Sequence, residues 1–279
     1  MKKLTLFLSL LISLCLITDA NAKKDVKKKE PAEVKKSTSS KKTYKDPLTG
    51  AEFAYISAGS FTMGSPSNEP QRFDNEKQHK VTINKGFYIQ TTEVTQEQWK
   101  KIMGNNPAYF SKCGENCPVE QVSWNDANEF IKKLNTQEGK NNYRLPTEAE
   151  WEYSCRAEKI TPYSFGACLS TDDANYDGNN PLSGCDKGKY REKTTPAGSL
   201  KANGWGLFDM HGNVWEWCQD IFGDYTEEPA KESPKVTNRV LRGGSYSING
   251  WFCRSAFRFS SSPDARSNDI GFRLVRIAD

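Results

Sequence analysis

The sequence predicts an α+β domain of irregular, loop-rich build. Three observations point there. Seven Trp and 20 Gly accompany few long helical periodicities, so aromatics and covalent links must hold much of the chain. Three compact helix starts occur, at Thr95, near Asn125 and at Thr147. Short extended runs lie before and after them, bounded by breakers.

Taken in order, FAYISAGSFTMG (53–64) reads as a strand, a glycine turn and a second strand. Residues 65–79 are polar and breaker-rich, hence a loop. Val81, Ile83, Phe87, Tyr88 and Ile89 mark further extended structure. Thr95-Gln96-Glu97-Gln98 is a capping box, after which Trp99 and Ile102 share a face. Ala127, Phe130, Ile131 and Leu134 form an amphipathic stripe at i, i+3, i+4 and i+7. Thr147-Glu148-Ala149-Glu150 opens a third helix, whose Glu148, Glu150 and Glu152 are expected to lie exposed and to favour the helix N-terminus. Residues 160–204 carry no clear period, and RVLRGGSY (239–246) and IGFRLVRI (270–277) read as terminal strands. No internal repeat is evident.

The chain divides into three parts by composition. Residues 1–22 read as a signal peptide: Lys2 and Lys3, an apolar run from Leu4 to Ile17, and a small-residue cleavage site Ala20-Asn21-Ala22. The run is short for a bilayer span, and no later one is longer, so a transmembrane protein is not expected. A lipid anchor on Cys15 is the alternative, disfavoured by the bulky Leu14 before it. Residues 23–46 are expected to be a disordered linker, since Lys23–Lys45 holds ten Lys against three acids. The signal carries +1 and this leash +7, so of the total of +4 the remainder carries −4. Residues 47–279 are the folded domain, long enough for one core. The leash serves as a solvated spacer or touches anionic envelope polymers. An exported, acidic domain argues against nucleic acid as a partner. Localisation is therefore expected to be periplasmic or extracellular.

Export makes disulfides the default for the seven cysteines beyond residue 22. Cys113 and Cys117 flank a three-residue turn that suits a local bridge. Cys168 and Cys185 bracket an Asp/Asn/Gly loop and suit a staple. Zinc fits the spacing poorly, with His79 and His211 the only histidines. Cys113-x-x-x-Cys117 is too weak a signal for thiol–disulfide exchange.

FTMGS (61–65), TTEVTQEQW (91–99), PVEQVSW (118–124), YRLPTEAEWEYSCRA (143–157), GLFDMHGNVWEWCQD (206–220), RVLRGGSY (239–246), CRSAFR (253–258) and GFRLV (271–275) occur in that order. Together they resemble the formylglycine-generating enzymes, or sulfatase-modifying factors, from about residue 50 to the end. The resemblance implies a C-type-lectin-like fold. It also implies a copper(I) site made by two cysteines, three and eight residues after the serine of GGS, which oxidises a sulfatase cysteine to formylglycine.

Here that serine is Ser245, and catalytic roles pass by position to Ser245 and Cys253. The first of the two cysteine positions is Ile248, which has no lone pair for a metal. Counted from Ser245, Cys253 takes the second position. Counted back from Arg258 and Pro263, it takes the place of a structural cysteine whose partner would be Cys155. The resemblance favours that Cys155–Cys253 bridge, leaving Cys218 unpaired as a small buried hydrophobe.

GNVWEW has its own reading. Gly212 and Asn213 suit a turn with unusual backbone angles, and a carboxylate beside free carbonyls suits calcium. The resemblance gives the Glu216 side chain and the His211, Gly212 and Val214 carbonyls as ligands. A second site would start at Asn175 and Tyr176. The alternative for Glu216 is an ion pair with a buried Arg such as Arg242 or Arg258. Functionally, a family member without the two-cysteine copper site is expected. An active oxidoreductase acting on a protein or peptide and a non-catalytic lectin-like domain binding protein or glycan are the alternatives.

Overall fold

The structure is a computed structural model that describes residues 43–225 and 237–278. The expected signal peptide, Cys15 and most of the leash lie outside these residues. Eleven short strands and three helices are described. A five-stranded antiparallel sheet has the order β1 (Thr43–Lys45), β2 (Glu52–Ile56), β5 (Phe87–Gln90), β11 (Val275–Ile277), β6 (Tyr143–Arg144). A four-stranded sheet has the order β10 (Ile270–Gly271), β7 (Trp215–Ile221), β8 (Arg239–Arg242), β9 (Phe259–Ser261), with β10 parallel to β7. β3 (Gly59–Met63) and β4 (His79–Ile83) form a separate antiparallel pair. The α+β, loop-rich class read from composition is the one the chain adopts.

One boundary differs from the sequence reading. Thr43–Lys45, placed in the linker, pairs with Glu52–Ala54 as a strand. Buried Asp46 fixes the corner, accepting from the Thr49 N–H at 2.6 Å and the Tyr143 hydroxyl at 2.8 Å. The strand, turn and second strand read at 53–64 are present as β2 and β3, which join different sheets.

The three helices are α1 (Gln96–Met103), α2 (Trp124–Glu138) and α3 (Glu148–Arg156). Thr95, Ser123 and Thr147 cap them, each with a complete capping box. Each box satisfies N–H groups that the first turn leaves without partners. Trp99 of α1 stacks on Phe130 of α2 at 5.4 Å, and Phe272 meets both edge-on. The predicted α2 stripe is thus core.

The acids of α3 are not exposed as expected. Glu148, Glu150 and Glu152 are buried, and each is neutralised by arginine. Arg258 holds Glu148 at 2.6 and 2.8 Å, and Arg144 holds Glu150 at 2.6 Å twice. Glu152 bonds both Arg156 and Arg242. Three of these four arginines lie outside the helix they neutralise, so the helix start is a junction of distant segments.

Candidate functional site

β8 delivers the chain into Gly243-Gly244-Ser245. Both glycines have positive φ, 95° and 77°. A Cβ on Gly244 would lie 2.5 Å from the Cys253 sulfur, so the turn closes only with glycine there. The Cys253 sulfur lies directly below the turn. Ser245 Oγ lies 2.9 Å from Asp269 Oδ2 and 3.2 Å from Ser247 Oγ, and Ser267 donates to the other Asp269 oxygen at 2.5 Å. One carboxylate therefore gathers three hydroxyls.

Tyr246 turns its ring edge-on to Phe110 at 5.3 Å. Phe110 and Tyr109 are held by buried Glu120, which accepts their N–H groups at 2.8 and 3.0 Å. Burial pushes the Glu120 carboxyl up to about 7, against those two hydrogen bonds, with Asp269 adding to the rise.

Ile248 follows Ser247 and packs between two apolar clusters, one containing Trp215 and Phe257, the other containing Tyr163, Tyr176 and Cys253. Cys253 ends a 3₁₀ turn (Gly250–Cys253) and is fully buried. Burial raises its thiol well above the usual cysteine range.

The expected Cys155–Cys253 bridge is not formed; both are free thiols, as is Cys218. Geometry gives the reason. The Cys155 sulfur faces Ser255 Oγ at 3.5 Å and His211 Nε2 at 3.7 Å, while Cys253 points beneath Gly244. The residue of CRS that faces α3 is Ser255. The His211 ring fills the space between, its Nδ1–H donating to the Cys253 carbonyl at 2.8 Å. Its Nε2 accepts from the Ser164 N–H at 3.0 Å, which fixes the tautomer. Burial holds His211 down at about 4, opposed by the Cys253 carbonyl, and burial pushes Cys155 up to about 12. The bridges Cys113–Cys117 and Cys168–Cys185 are formed as expected.

The turn at GNVWEW has the backbone its residues suggested, with φ 95° at Gly212 and 65° at Asn213. Its carboxylate has a different use. Arg273 clamps Glu216 at 2.6 Å on each oxygen, and the Trp151 indole N–H donates to Oε2 at 2.7 Å. The buried arginine is neither Arg242 nor Arg258. A carboxylate so saturated and neutralised does not offer calcium the charge it requires.

The second expected calcium site starts at Asn175, which is buried beside the same turn. The Asn175 carbonyl accepts the Asn213 N–H, and the Asn175 amide donates to Lys193 and Asn213. Its Oδ1, the side-chain oxygen that such a site would use, is buried without a partner. Among the described residues no three His, Cys, Asp or Glu side chains converge on one metal position.

Sequence reading missed the other acids here. Glu93 accepts the Asn213 amide at 3.0 Å, and Asp209 accepts the Gly198 N–H at 2.6 Å. Burial raises both carboxyls, and for Glu93 the neighbouring Asp209 charge adds to the rise. Glu93 in TTEVT, placed between an apolar strand and a capping box, was the available signal.

Comparison with known proteins places this geometry. The chain is 32% identical over 237 residues to chaperone protein LppX of Paenibacillus barcinonensis, covering 70% of this chain and 81% of that protein. It is 38% identical over 183 residues to the formylglycine-generating enzyme of Streptomyces coelicolor, covering 59% and 54%. The solved structure of PvdO from Pseudomonas aeruginosa superposes with a TM-score of 0.71 at 29% identity, over 85% of this chain and 98% of that one. The C-type-lectin-like fold is thus the one this chain shares with its structural relatives. A family model described as the sulfatase-modifying factor enzyme 1-like domain matches residues 38–278, and the chain belongs to that family.

Proposed function

We propose that this chain is an exported member of the family that binds an extended polypeptide without oxidising it. The observation that carries the reading is the pair Ile248 and Cys253. One side chain has no donor atom, and the other is a buried thiol raised far from ionisation near neutral pH. Copper(I) chemistry asks for two soft thiolates at one place. The Cys155 sulfur faces Ser255 and His211 while the Cys253 sulfur lies beneath Gly244, so Cys155 does not stand in for the missing ligand.

What remains is a recognition surface. Exposed Ser247 and half-buried Asp269 present a hydroxyl and a carboxylate, and half-buried Phe110 provides an aromatic edge beside them, backed by buried Ser245 and Tyr246. Polar groups that match a main chain next to aromatic faces suit an extended peptide. The name of the LppX relative, a chaperone, supports a polypeptide as the ligand class.

The test uses the mature protein, copper and a fluorescent sulfatase-type cysteine peptide. Saturable binding is expected by anisotropy, weakened in Asp269→Asn, with no conversion of cysteine to formylglycine by mass spectrometry. Copper-dependent conversion, or no binding at all, overturns the reading. Ile248→Cys is expected to leave the protein inactive, because the Cys253 sulfur stays beneath Gly244.

A further inference from the structure

Beyond Phe110 from the Ser245 turn, a cavity of about 630 Å³ opens between α1, α2 and the segment before Ser267. We propose that it binds a neutral saccharide. The volume suits a small oligosaccharide rather than a single ion.

The charges of its wall cancel. Asp126 is gripped by Arg266 at 2.7 Å on both oxygens, and Lys133 pairs with Glu129 at 3.2 Å. A wall of two closed ion pairs attracts neither anion nor cation. Its exposed N–H and oxygen edges still match vicinal hydroxyls, which donate and accept at once.

Two amides have capacity to spare. Asn105 accepts the Trp99 indole N–H at 3.1 Å through its oxygen, leaving its NH₂ available. The Gln121 side chain bonds no described residue, although it sits in the wall. Its backbone is left-handed, φ 61°, and is tied by its N–H to the Ser267 carbonyl at 2.9 Å. Such a conformation is rare for glutamine, and its persistence fixes where the amide is presented.

The rim supplies a ring. Tyr109 is 67% exposed, yet its backbone is immobilised by Glu120 and its ring is braced edge-on by Phe110 at 5.0 Å. A large aromatic held open to water and braced only at its edge is the usual stacking face for the apolar side of a sugar ring. Fixed aromatic, free amides and a charge-balanced wall in one concavity are what a neutral polyhydroxylated ligand requires.

The test titrates the folded protein with N,N′-diacetylchitobiose, cellobiose, maltose and lactose, read by saturation-transfer NMR and by tryptophan fluorescence, since Trp99 lines the cavity. At least one disaccharide is expected to saturate a single site, and affinity should fall at least about ten-fold in Tyr109→Ala. Gln121→Gly removes the amide while relieving the left-handed backbone, so it should keep or raise the melting temperature and still lose binding. Absence of saturable binding by all four sugars overturns the proposal. So does undiminished binding in both variants, or displacement of the sugar by the cysteine peptide, which would make the cavity part of the polypeptide site.

Discussion

At the residue scale, the decisive side chain is Ser255. Its hydroxyl lies 3.5 Å from the Cys155 sulfur, in the place where a second thiol would close a bridge to α3. Ser255→Cys should therefore oxidise spontaneously, joining the introduced sulfur to Cys155 in a disulfide. Non-reduced peptide mapping should show it, and the melting temperature should rise, by an amount within the usual range of about 2–4 kcal/mol. A variant that keeps two free thiols in air would contradict this geometry. Counting from fixed residues identified the cysteine of α3 but not its neighbour, because the count places Cys253 where the fold places Ser255. Ile248 was readable without structure, since its chemistry depends on identity alone. The burial of Cys253 was not, because it arises from Gly244, whose missing Cβ lets the sulfur slide under the turn.

At the scale of elements, charge pairing is the device that joins segments. α3, β7, β8 and the chain after Cys253 meet through arginine–carboxylate pairs from which water is excluded. Losing one partner strands the other in a low-dielectric interior. Arg273→Met should cost about 3–5 kcal/mol, because it leaves Glu216 uncompensated beside Glu93 and Asp209. Denaturant titration checks this. Addition of a calcium chelator to the wild type should leave the midpoint unchanged, since Arg273 neutralises Glu216. The helix starts themselves were legible, because a capping box is local and written within four residues. The partners of the α3 acids were not, since Arg242 and Arg258 come from about 90 and 110 residues away.

For the whole molecule, buried acids set the pH response. Glu120, Glu93 and Asp209 all hold protons more tightly folded than unfolded. A carboxyl raised from 4.5 to about 7, as in Glu120, adds stability that is complete below about pH 4.5. That contribution fades as pH rises through 7. Thermal melts between about pH 5 and pH 8 should show the wild type losing stability with rising pH, and Glu120→Gln losing less. An equal slope in the variant would place the titrating proton elsewhere. Sheet order was the least legible level. Strand pairing depends on contacts far apart in sequence, and β6, β9 and β10 are too short to show a period.

The position of β11 has a kinetic consequence. Residues 275–277 are held within the larger sheet, hydrogen-bonded on both sides by β5 and β6, and β10 closes the flank of β7 just before them. Residues 270–277 are thus a keystone shared by both larger sheets. A chain emerging N-terminus first can gather its helices and the β3–β4 pair early, but the five- and four-stranded sheets both wait for residues 270–277. Deleting residues 270–279 should leave a protein with helical circular dichroism but no cooperative melt. A sharp two-state transition in that truncation would show that the earlier strands can stand without their keystone.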